Sequence, residues 1–469
     1  MSLIKHTFLY TIGRVLPQTI GFFLLPIYTD YLTLDEYGVV ESMYILTMVL
    51  TVFFSMATER SMFRLYYDYD NVVEKKLFIG NISILIIAFS IIVLLLLFVF
   101  SNQISYIYKG IPFSPYFIYA ILTAFFMAFS FIPQTLYQVK GKALHFLWLT
   151  LSGFFIGIGF MIYYLVVLNY GAIGLIKGRF YGVLTMFPAY LYIIYKSSIF
   201  KINKKVIVSI LKFSIPMIPT LLTAWVLNMS NRIFIEQYFS LKEVGIFSLA
   251  FRISSLATVV LGGLFSAFNP IFYNLANHKN QLESKEKLKK LCKGILYIVV
   301  LVCFSLSFLS KEIILIFFNK DYLESINIIP LIIVSIFLIN ISGLYNLMIY
   351  QEKKSRTIMS ISIIGAALSI GFNFLLVPTK GMIGAALASV LAALAMLVLK
   401  FIYAKKTYYV DLPIPNLLFW FLLSGIIIAI DLNLMINIYI SLIFKVLIML
   451  ISIFIIYKKN KKLIMQMVT

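Results

Sequence analysis

The fold is decided by residues 214–273, which read SIPMIPTLLTAWVLNMSNRIFIEQYFSLKEVGIFSLAFRISSLATVVLGGLFSAFNPIFY. In the second half of this stretch, small and polar residues recur at alternating steps of four and three, which places them along one face of a helix. The other faces are apolar. A membrane helix of this kind borders a water-filled cavity inside the protein, so the stretch predicts a polytopic membrane protein. The striped positions are Ser248, Arg252, Ser255, Val259, Gly262, Ser266, Asn269 and Tyr273.

The same hairpin occurs once earlier in the chain. Residues 31–39 (YLTLDEYGV) align with residues 238–246 (YFSLKEVGI) at an offset of 207 (238 − 31). A second match, at an offset of 210 (381 − 171), pairs residues 171–174 (GAIG) with residues 381–384 (GMIG). Two matches in the same order predict a duplicated unit of about 200 residues, a construction common in transporters. The first offset predicts a second one-faced stripe at Glu41, Ile45, Met48, Val52, Ser55, Glu59, Met62 and Tyr66.

The composition excludes a soluble globular protein. The chain of 469 residues is 62% hydrophobic and 12% charged, with a mean hydropathy of +1.00. Its apolar segments have about 20 residues, enough to cross a bilayer as a helix, and predict an all-α polytopic membrane protein of about 14 transmembrane helices. We predict one six-helix bundle in residues 1–200, a second in residues 201–410, and two appended helices in residues 411–469. The predicted spans are 7–29, 39–66, 77–100, 113–138, 143–168, 172–195, 207–235, 244–275, 291–318, 326–350, 357–378, 382–404, 414–431 and 438–457.

The net charge of +21 is unevenly distributed between the two membrane sides. Counting the loops and the adjoining ends of the predicted spans, one side holds 28 of the 39 Lys and Arg residues, whereas the other side holds five. This positive-inside bias predicts that both termini are cytoplasmic. It also indicates that anionic membrane lipids, rather than nucleic acid, are the partners of the basic surface. The two cysteines, Cys292 and Cys303, indicate neither a disulfide nor a metal site.

Ionisable residues inside the predicted spans mark candidate sites. A charge in mid-bilayer costs about 2.5–3.5 kcal/mol on insertion scales and therefore faces a cavity or a partner. Arginines dominate, which indicates an anionic ligand. The predicted polar lining of a central cavity is Arg14, Gln18, Arg60, Arg179, Arg252, Ser255 and Asn269. Two of these charged residues have alternative interpretations. Arg14 also fits a side chain that snorkels to lipid phosphates. Glu59 either pairs with Arg60, with Arg64 or with a partner elsewhere in the chain, or it titrates and couples transport to protons.

Other charged residues are interpreted structurally. Arg232 and Glu236 are spaced four apart and predict an intrahelical ion pair near the outer surface. Lys445, in the last predicted span, is expected to snorkel or to meet a lipid phosphate. No set of acidic or His residues has the spacing of a catalytic or metal site, so we predict no enzyme activity, no metal and no cofactor other than a coupling ion or proton gradient.

The first two spans of each half resemble a known family. Residues 21–38 (GFFLLPIYTDYLTLDEYG), 231–235 (NRIFI) and 241–250 (LKEVGIFSLA) are similar to Wzx-type polysaccharide flippases of the multidrug/oligosaccharidyl-lipid/polysaccharide exporter superfamily. The resemblance implies two bundles around a cationic cavity, which move undecaprenyl-pyrophosphate-linked oligosaccharide from the inner to the outer leaflet of the bacterial cytoplasmic membrane by alternating access. It also implies polysaccharide polymerase and glycosyltransferase partners in capsule, O-antigen or teichoic acid export. The last two predicted helices resemble those of the peptidoglycan lipid-precursor flippases, which implies a groove for the prenyl tail.

The same residues bear on three alternative functions. A drug/cation antiporter of this fold would need a buried carboxylate in the first span, where the chain has Arg14, with Asp30 at the outer end. A peptidoglycan lipid-precursor flippase shares all the features above and stays open. A membrane-embedded glycosyltransferase is disfavoured, because it needs acidic catalytic residues and a larger loop domain than the short connections provide.

Overall fold

The computed structural model describes residues 3–101, 103, 110–277, 280–412, 439, 441–447 and 449. Throughout this part of the chain the regular elements are helices, without a strand, which confirms the predicted all-α class. Residues group into two compact units, Met1–Gly245 and Ile246–Thr469, named unit 1 and unit 2 below. The three predicted domains, with boundaries after residues 200 and 410, remain predictions.

Unit 1 is a bundle of helices. They are α1 (Leu3–Phe23), α2 (Leu25–Tyr31), α3 (Leu34–Ser55), α4 (Thr58–Leu65), α5 (Val72–Val99), α6 (Ile118–Val139), α7 (Ala143–Ile162), α8 (Gly171–Ser197), α9 (Lys204–Ser214), α10 (Met217–Tyr238) and the first turn of α11 (Leu241–Ala276). Wider helical turns, Phe113–Phe117 and Tyr163–Val167, adjoin α6 and α7. Phe54, Phe78 and Phe129 are buried between α3, α5 and α6 and form part of the core.

Unit 2 contains the rest of α11 and the helices that follow it. These are α12 (Gln281–Phe308), α13 (Ser310–Phe317), α14 (Ser325–Gln351) and α15 (Ser355–Lys405). Helix α14 packs along α15 over much of its length. The backbone of α15 is interrupted at Gly381, where φ is 52° and ψ is −133°. Only glycine adopts such angles readily, so this residue sets the position of the break.

Nine helical stretches of the described residues are long and apolar enough to cross a membrane. One of them, α15, has 51 residues. As a straight helix it would be about 77 Å long, more than twice the bilayer core of about 30 Å. The break at Gly381 therefore separates two crossings, at the place expected between the predicted spans 357–378 and 382–404. The chain is a multi-pass membrane protein.

The duplicated sequence motifs form the same local structure twice. At the start of α3, Thr33 Oγ1 accepts the backbone N–H of Glu36, and the Thr33 N–H donates to Glu36 Oε2 at 3.0 Å. At the start of α11, 207 residues later, the Ser240 hydroxyl donates to the Glu243 carboxylate. Such side chains hold the first turn of a helix. The second motif also repeats, because the first glycine of each copy has a positive φ, 60° in the first and 52° in the second.

The first turns of α3 and α11 contact each other through repeat-equivalent residues. A Cβ atom placed on Gly38 would collide with the carbonyl oxygen of Leu241, and one placed on Gly245 would lie 2.5 Å from the carbonyl oxygen of Leu34. Gly38 and Gly245 are one repeat apart, and so are Leu34 and Leu241, so the contact is reciprocal. Both positions require glycine, because the two backbones approach too closely for any side chain.

Two sequence predictions are wrong in detail. The stripe from Glu41 to Tyr66 does not follow one helical face, because α3 ends at Ser55 and α4 begins at Thr58. Met56 and Ala57, between them, have positive φ angles of 51° and 55°, which redirects the chain. The predicted span 291–318 begins at residue 281 and is divided at residue 309. The predicted span 414–431 and most of 438–457 lie outside the described residues.

Candidate functional site

A cleft between α3, α6, α7 and α8 of unit 1 holds the predicted site residue Arg179. The guanidinium of Arg179 lies over the ring of Tyr44, 4.3 Å from its centroid, a cation–π arrangement. Thr47 and Thr123 contribute hydroxyl groups to its lining. Sequence reasoning missed the contribution of α3, because the predicted stripe follows Glu41 and Ile45 on a neighbouring face. The lining residues are Val40, Met43, Tyr44, Thr47, Ala120, Thr123, Met161, Leu175, Ile176 and Arg179.

Lys177 points to a different place from Arg179. Its Nζ lies 5.6 Å from the ring centroid of Tyr119 and 5.4 Å from that of Tyr170. Residues two apart on a helix do not share a face, which accounts for the different surroundings of the two side chains. Of the two cations, Arg179 is the one that lines the cleft. It is therefore the better candidate for contact with an anionic group.

Positive charge gathers at one end of unit 1, around Arg14. This exposed residue of α1 donates from Nη2 to Oε1 of Gln138 on α6 at 3.0 Å. Lys140 lies two residues beyond Gln138. Its pKa is lowered mainly by partial desolvation and to a smaller extent by repulsion from Lys142 and Lys76. A concentration of cations of this kind attracts anionic ligands from a distance.

The remaining predicted residues of unit 1 lie on α1 and α4. Gln18 and Arg60 are exposed, and Glu59 is half-buried. The predicted pairing of Glu59 with Arg60 or Arg64 is not formed, since Arg64 pairs instead with Asp68 at 2.7 Å. Within the described part of the chain, Glu59 Oε2 is buried and has no hydrogen-bond partner. A coupling role for Glu59 stays a prediction.

The polar stripe of α11 in unit 2 is more exposed than the opposite face of that helix. Ile253 and Leu261 are fully buried, whereas Arg252, Ser255 and Asn269 are half-buried. The Ser255 hydroxyl donates to the carbonyl oxygen of Arg252 at 2.7 Å. Asn269 Oδ1 is buried and without a hydrogen-bond partner among the described residues. The three predicted site residues therefore lie on the polar side of α11, as the stripe predicts.

The predicted Arg232–Glu236 ion pair is wrong. Glu236 Oε2 accepts a hydrogen bond from the Ser42 hydroxyl of α3 at 2.9 Å. Arg232 Nη1 donates to the carbonyl oxygen of Asn228, one turn earlier on α10, at 2.9 Å. The spacing of four permits the intrahelical pair, but a tertiary partner 194 residues away takes the carboxylate. No local signal in the sequence identifies Ser42 as that partner.

Lys445 forms a buried ion pair instead of reaching lipid. Its Nζ lies 2.8 Å from a carboxylate oxygen of Glu312 on α13, and the two side chains are 1% and 2% exposed. Lys445 also donates to the carbonyl oxygen of Phe308 at 2.8 Å, and the Ser441 hydroxyl donates to Glu312 at 2.6 Å. This hydrogen-bonded pair fastens residues 441–447 to the rest of unit 2.

Metal-binding side chains are not gathered anywhere in the described ranges. No three His, Cys, Asp or Glu residues there are close enough together to hold an ion. Cys292 and Cys303 are buried free thiols.

The sequence of the chain matches a known family. Residues 31–327, more than half of the chain, match the profile described as "Polysaccharide biosynthesis protein". The chain belongs to this family. No protein in a search of curated sequences matches it.

Solved structures of transporters share the fold of this family member. "Lipid II flippase MurJ, inward closed conformation" has a TM-score of 0.78 at 18% identity, covering 97% of this chain and 100% of that one. The Vibrio cholerae MATE transporter VcmN has a TM-score of 0.60 at 13% identity, covering 86% and 95%. An inward-facing MATE family multidrug transporter has a TM-score of 0.60 at 14% identity, covering 87% and 94%. The predicted all-α fold is therefore the fold of these solved transporter structures.

Proposed function

We propose that the protein is a flippase, which moves undecaprenyl-pyrophosphate-linked oligosaccharide from the inner to the outer leaflet of the bacterial cytoplasmic membrane by alternating access. The observation that carries the proposal is the cationic character of the polar positions. Arginine stands on α1 (Arg14), in the cleft of unit 1 (Arg179) and on the polar face of α11 (Arg252). Membership of a polysaccharide biosynthesis family supports the same substrate class.

Arginine is suited to the pyrophosphate of such a substrate. Its planar guanidinium makes paired, charge-assisted hydrogen bonds to phosphate oxygens and remains charged at any physiological pH. The barrier to flipping arises because a charged head group loses its water in the bilayer core. A hydrated cationic cavity lowers this barrier, while the prenyl tail remains in lipid. Neutral groups such as Asn269 Oδ1 and the Ser255 hydroxyl suit the hydroxyl groups of the attached sugars.

The cellular setting follows from the same proposal. Both termini would be cytoplasmic, so that the basic loops face the leaflet where the lipid-linked sugar is assembled. Glycosyltransferases would supply the substrate, and a polymerase would use it on the outer side. An ion or proton gradient would drive the cycle, and the last two predicted helices would hold the prenyl tail.

A deletion strain tests the substrate class directly. Removing the gene and extracting prenyl-linked lipids should show an oligosaccharide-diphosphate lipid retained on the cytoplasmic side, together with loss of a surface polysaccharide. The sugars of the retained lipid would separate a surface-polymer flippase from a peptidoglycan-precursor flippase. Unchanged prenyl-linked lipids together with a new sensitivity of the deletion strain to cationic dyes would refute the proposal and favour a drug/cation antiporter. Against that alternative, α1 contains neither Asp nor Glu to bind a cation.

Arg252→Ala is expected to lower export by at least about tenfold while leaving membrane insertion intact. A charge-assisted hydrogen bond to phosphate is worth about 1.5–3 kcal/mol, and 1.4 kcal/mol corresponds to a factor of ten. Surface polysaccharide per unit of membrane-inserted protein is the measurement. Arg252→Lys should recover only part of the activity, because lysine lacks the paired donor geometry. Arg356→Ala, which removes an exposed arginine of unit 2, is the control; equal activity of the Arg252 and Arg356 variants would contradict the assignment.

A further inference from the structure

Glu236 is a buried carboxyl group at the contact between α10 and α3. Its side chain is 6% exposed. Within the described ranges, its side chain makes one hydrogen bond, which Oε2 accepts from the Ser42 hydroxyl at 2.9 Å. Oε1 is buried and finds no partner among the residues that the structure describes. A carboxylate has about four acceptor positions and normally receives several donors, so a single hydroxyl is a poor environment for the ionised form.

None of the charged residues that the structure describes forms an ion pair with Glu236. Arg232, one turn earlier on the same helix, directs Nη1 to a backbone carbonyl of α10. On α3 the nearest acid in sequence to Ser42 is Glu41, which is 4% exposed. At the first turn of α11, Lys242 is exposed and Glu243 is hydrogen-bonded to Ser240. The lysines of α9 lie near the opposite end of α10, about 30 Å away along the helix.

Two other buried acids make the contrast clear. Glu312 is as buried as Glu236, but it receives Lys445 and Ser441 and so has the donors that an ionised carboxylate needs. Glu59 also has a buried oxygen without a partner in the described part, but it is half-buried and next to Arg60. Glu236 is thus the acid that combines deep burial, one unpartnered oxygen and a hydrogen bond to another helix.

The position of Glu236 connects its charge to a close helix contact. Ser42 lies one turn after Gly38 on α3, and Glu236 lies five residues before Leu241. Gly38 and Leu241 form the close backbone contact described above. A neutral Glu236 stabilises the packing of α3 on α10 and α11, whereas an ionised Glu236 favours its separation, because separation gives the carboxylate access to water.

We infer that Glu236 is a proton-binding site that couples the conformational cycle to protons. In the conformation described here a proton taken from the aqueous phase forms an O–H bond at Oε1, while Oε2 remains the acceptor of Ser42. When α3 separates from α10, the O–H bond breaks and the proton returns to water. The assignment of this step to transport rests on the proposed function. The binding of the proton itself does not.

Infrared spectroscopy of the purified full-length protein tests the proton directly, without any transported substrate. The carbonyl band of a neutral carboxylic acid should be present near neutral pH, should be removed by Glu236→Gln, and should shift in Ser42→Ala, which deletes the hydrogen bond to Oε2. Glu312→Gln is the matched control, because it removes a buried but ion-paired carboxylate and should leave the band unchanged. Absence of the band from the unmutated protein, or a band that survives Glu236→Gln, would overturn the inference.

A distance measurement tests the coupling to helix movement. Spin labels at Tyr31→Cys and Tyr238→Cys occupy exposed positions at the outer ends of α2 and α10, in a background where Cys292 and Cys303 are buried. The labels should move apart as pH rises through the titration of the infrared band. Glu236→Gln should hold the short distance at every pH. A distance that changes with pH equally in the unmutated protein and in Glu236→Gln would overturn the coupling. If the unmutated protein shows the infrared titration but does not export the proposed substrate, the proposed function is contradicted and the proton-binding site is not.

Discussion

Gly38→Val is expected to destabilise the folded protein by about 3 kcal/mol, the upper part of the range for overpacked interiors. The Cβ atom would meet the carbonyl oxygen of Leu241, which belongs to the backbone and has no alternative rotamer. One of the two helices must move to accommodate it. The measurement is the thermal unfolding midpoint of the purified protein in detergent, followed by intrinsic fluorescence.

The sequence repeat makes this prediction sharper. Gly245→Val should have an effect of similar size, because Gly245 meets the carbonyl oxygen of Leu34 in the equivalent half of the contact. Either substitution alone separates the same two helix ends. The loss of stability in the double variant should therefore be clearly smaller than the sum of the losses in the two single variants. Fully additive effects would show that the two glycines do not share one contact.

A control for the change of residue type is available in the same unit. Gly159 lies inside α7, and a Cβ atom placed there has nothing within 4 Å. Gly159→Ala should therefore be neutral or stabilising by up to about 1 kcal/mol, the difference in helix propensity between the two residues. If Gly38→Ala behaved like Gly159→Ala, the close approach of α3 and α11 would be wrong.

Lys445→Ala is the second substitution with a large expected effect, a loss of about 3–5 kcal/mol in the free energy of unfolding. Removal of one partner leaves the other charge buried without compensation, and this is more costly than the ion pair is favourable. Here the remaining charge is Glu312, which is 2% exposed and would keep only the Ser441 hydroxyl as a donor. The unfolding midpoint and the proteolytic release of residues 441–447 are the measurements.

Two comparisons separate charge from packing. Replacing both partners, Glu312→Leu with Lys445→Met, should recover most of the lost stability, because no buried charge remains. Lys289→Ala breaks an ion pair with Asp411 whose side chains are 52% and 62% exposed, and should have a far smaller effect on stability than Lys445→Ala because water screens the pair. A Lys445→Ala effect as small as that of Lys289→Ala would contradict the buried pair.

The candidate site illustrates which residues can be predicted without coordinates. Helical spacing indicates that Lys177 and Arg179 cannot both face one cavity, and Arg179 is the one that lines the cleft. Tyr44 and Thr47 were missed, because the stripe extrapolated from α11 runs through the neighbouring positions Glu41 and Ile45. An offset of one or two residues turns a side chain by about 100° to 200° around a helix, so a short repeat match is too coarse to assign the lining face.

By itself, the sequence determined the class of the molecule. Apolar segments of bilayer length specify membrane helices, and the offset of 207 specifies equivalent starts of α3 and α11, because hydropathy and helix capping act between residues a few positions apart. Only the tertiary structure decided where the buried charges go. Glu236 meets Ser42 across 194 residues, and Lys445 meets Glu312 across 133. Such partners are chosen by helix packing, which satisfies a buried polar group through whichever neighbour lies beside it, and no local pattern in the chain records that choice.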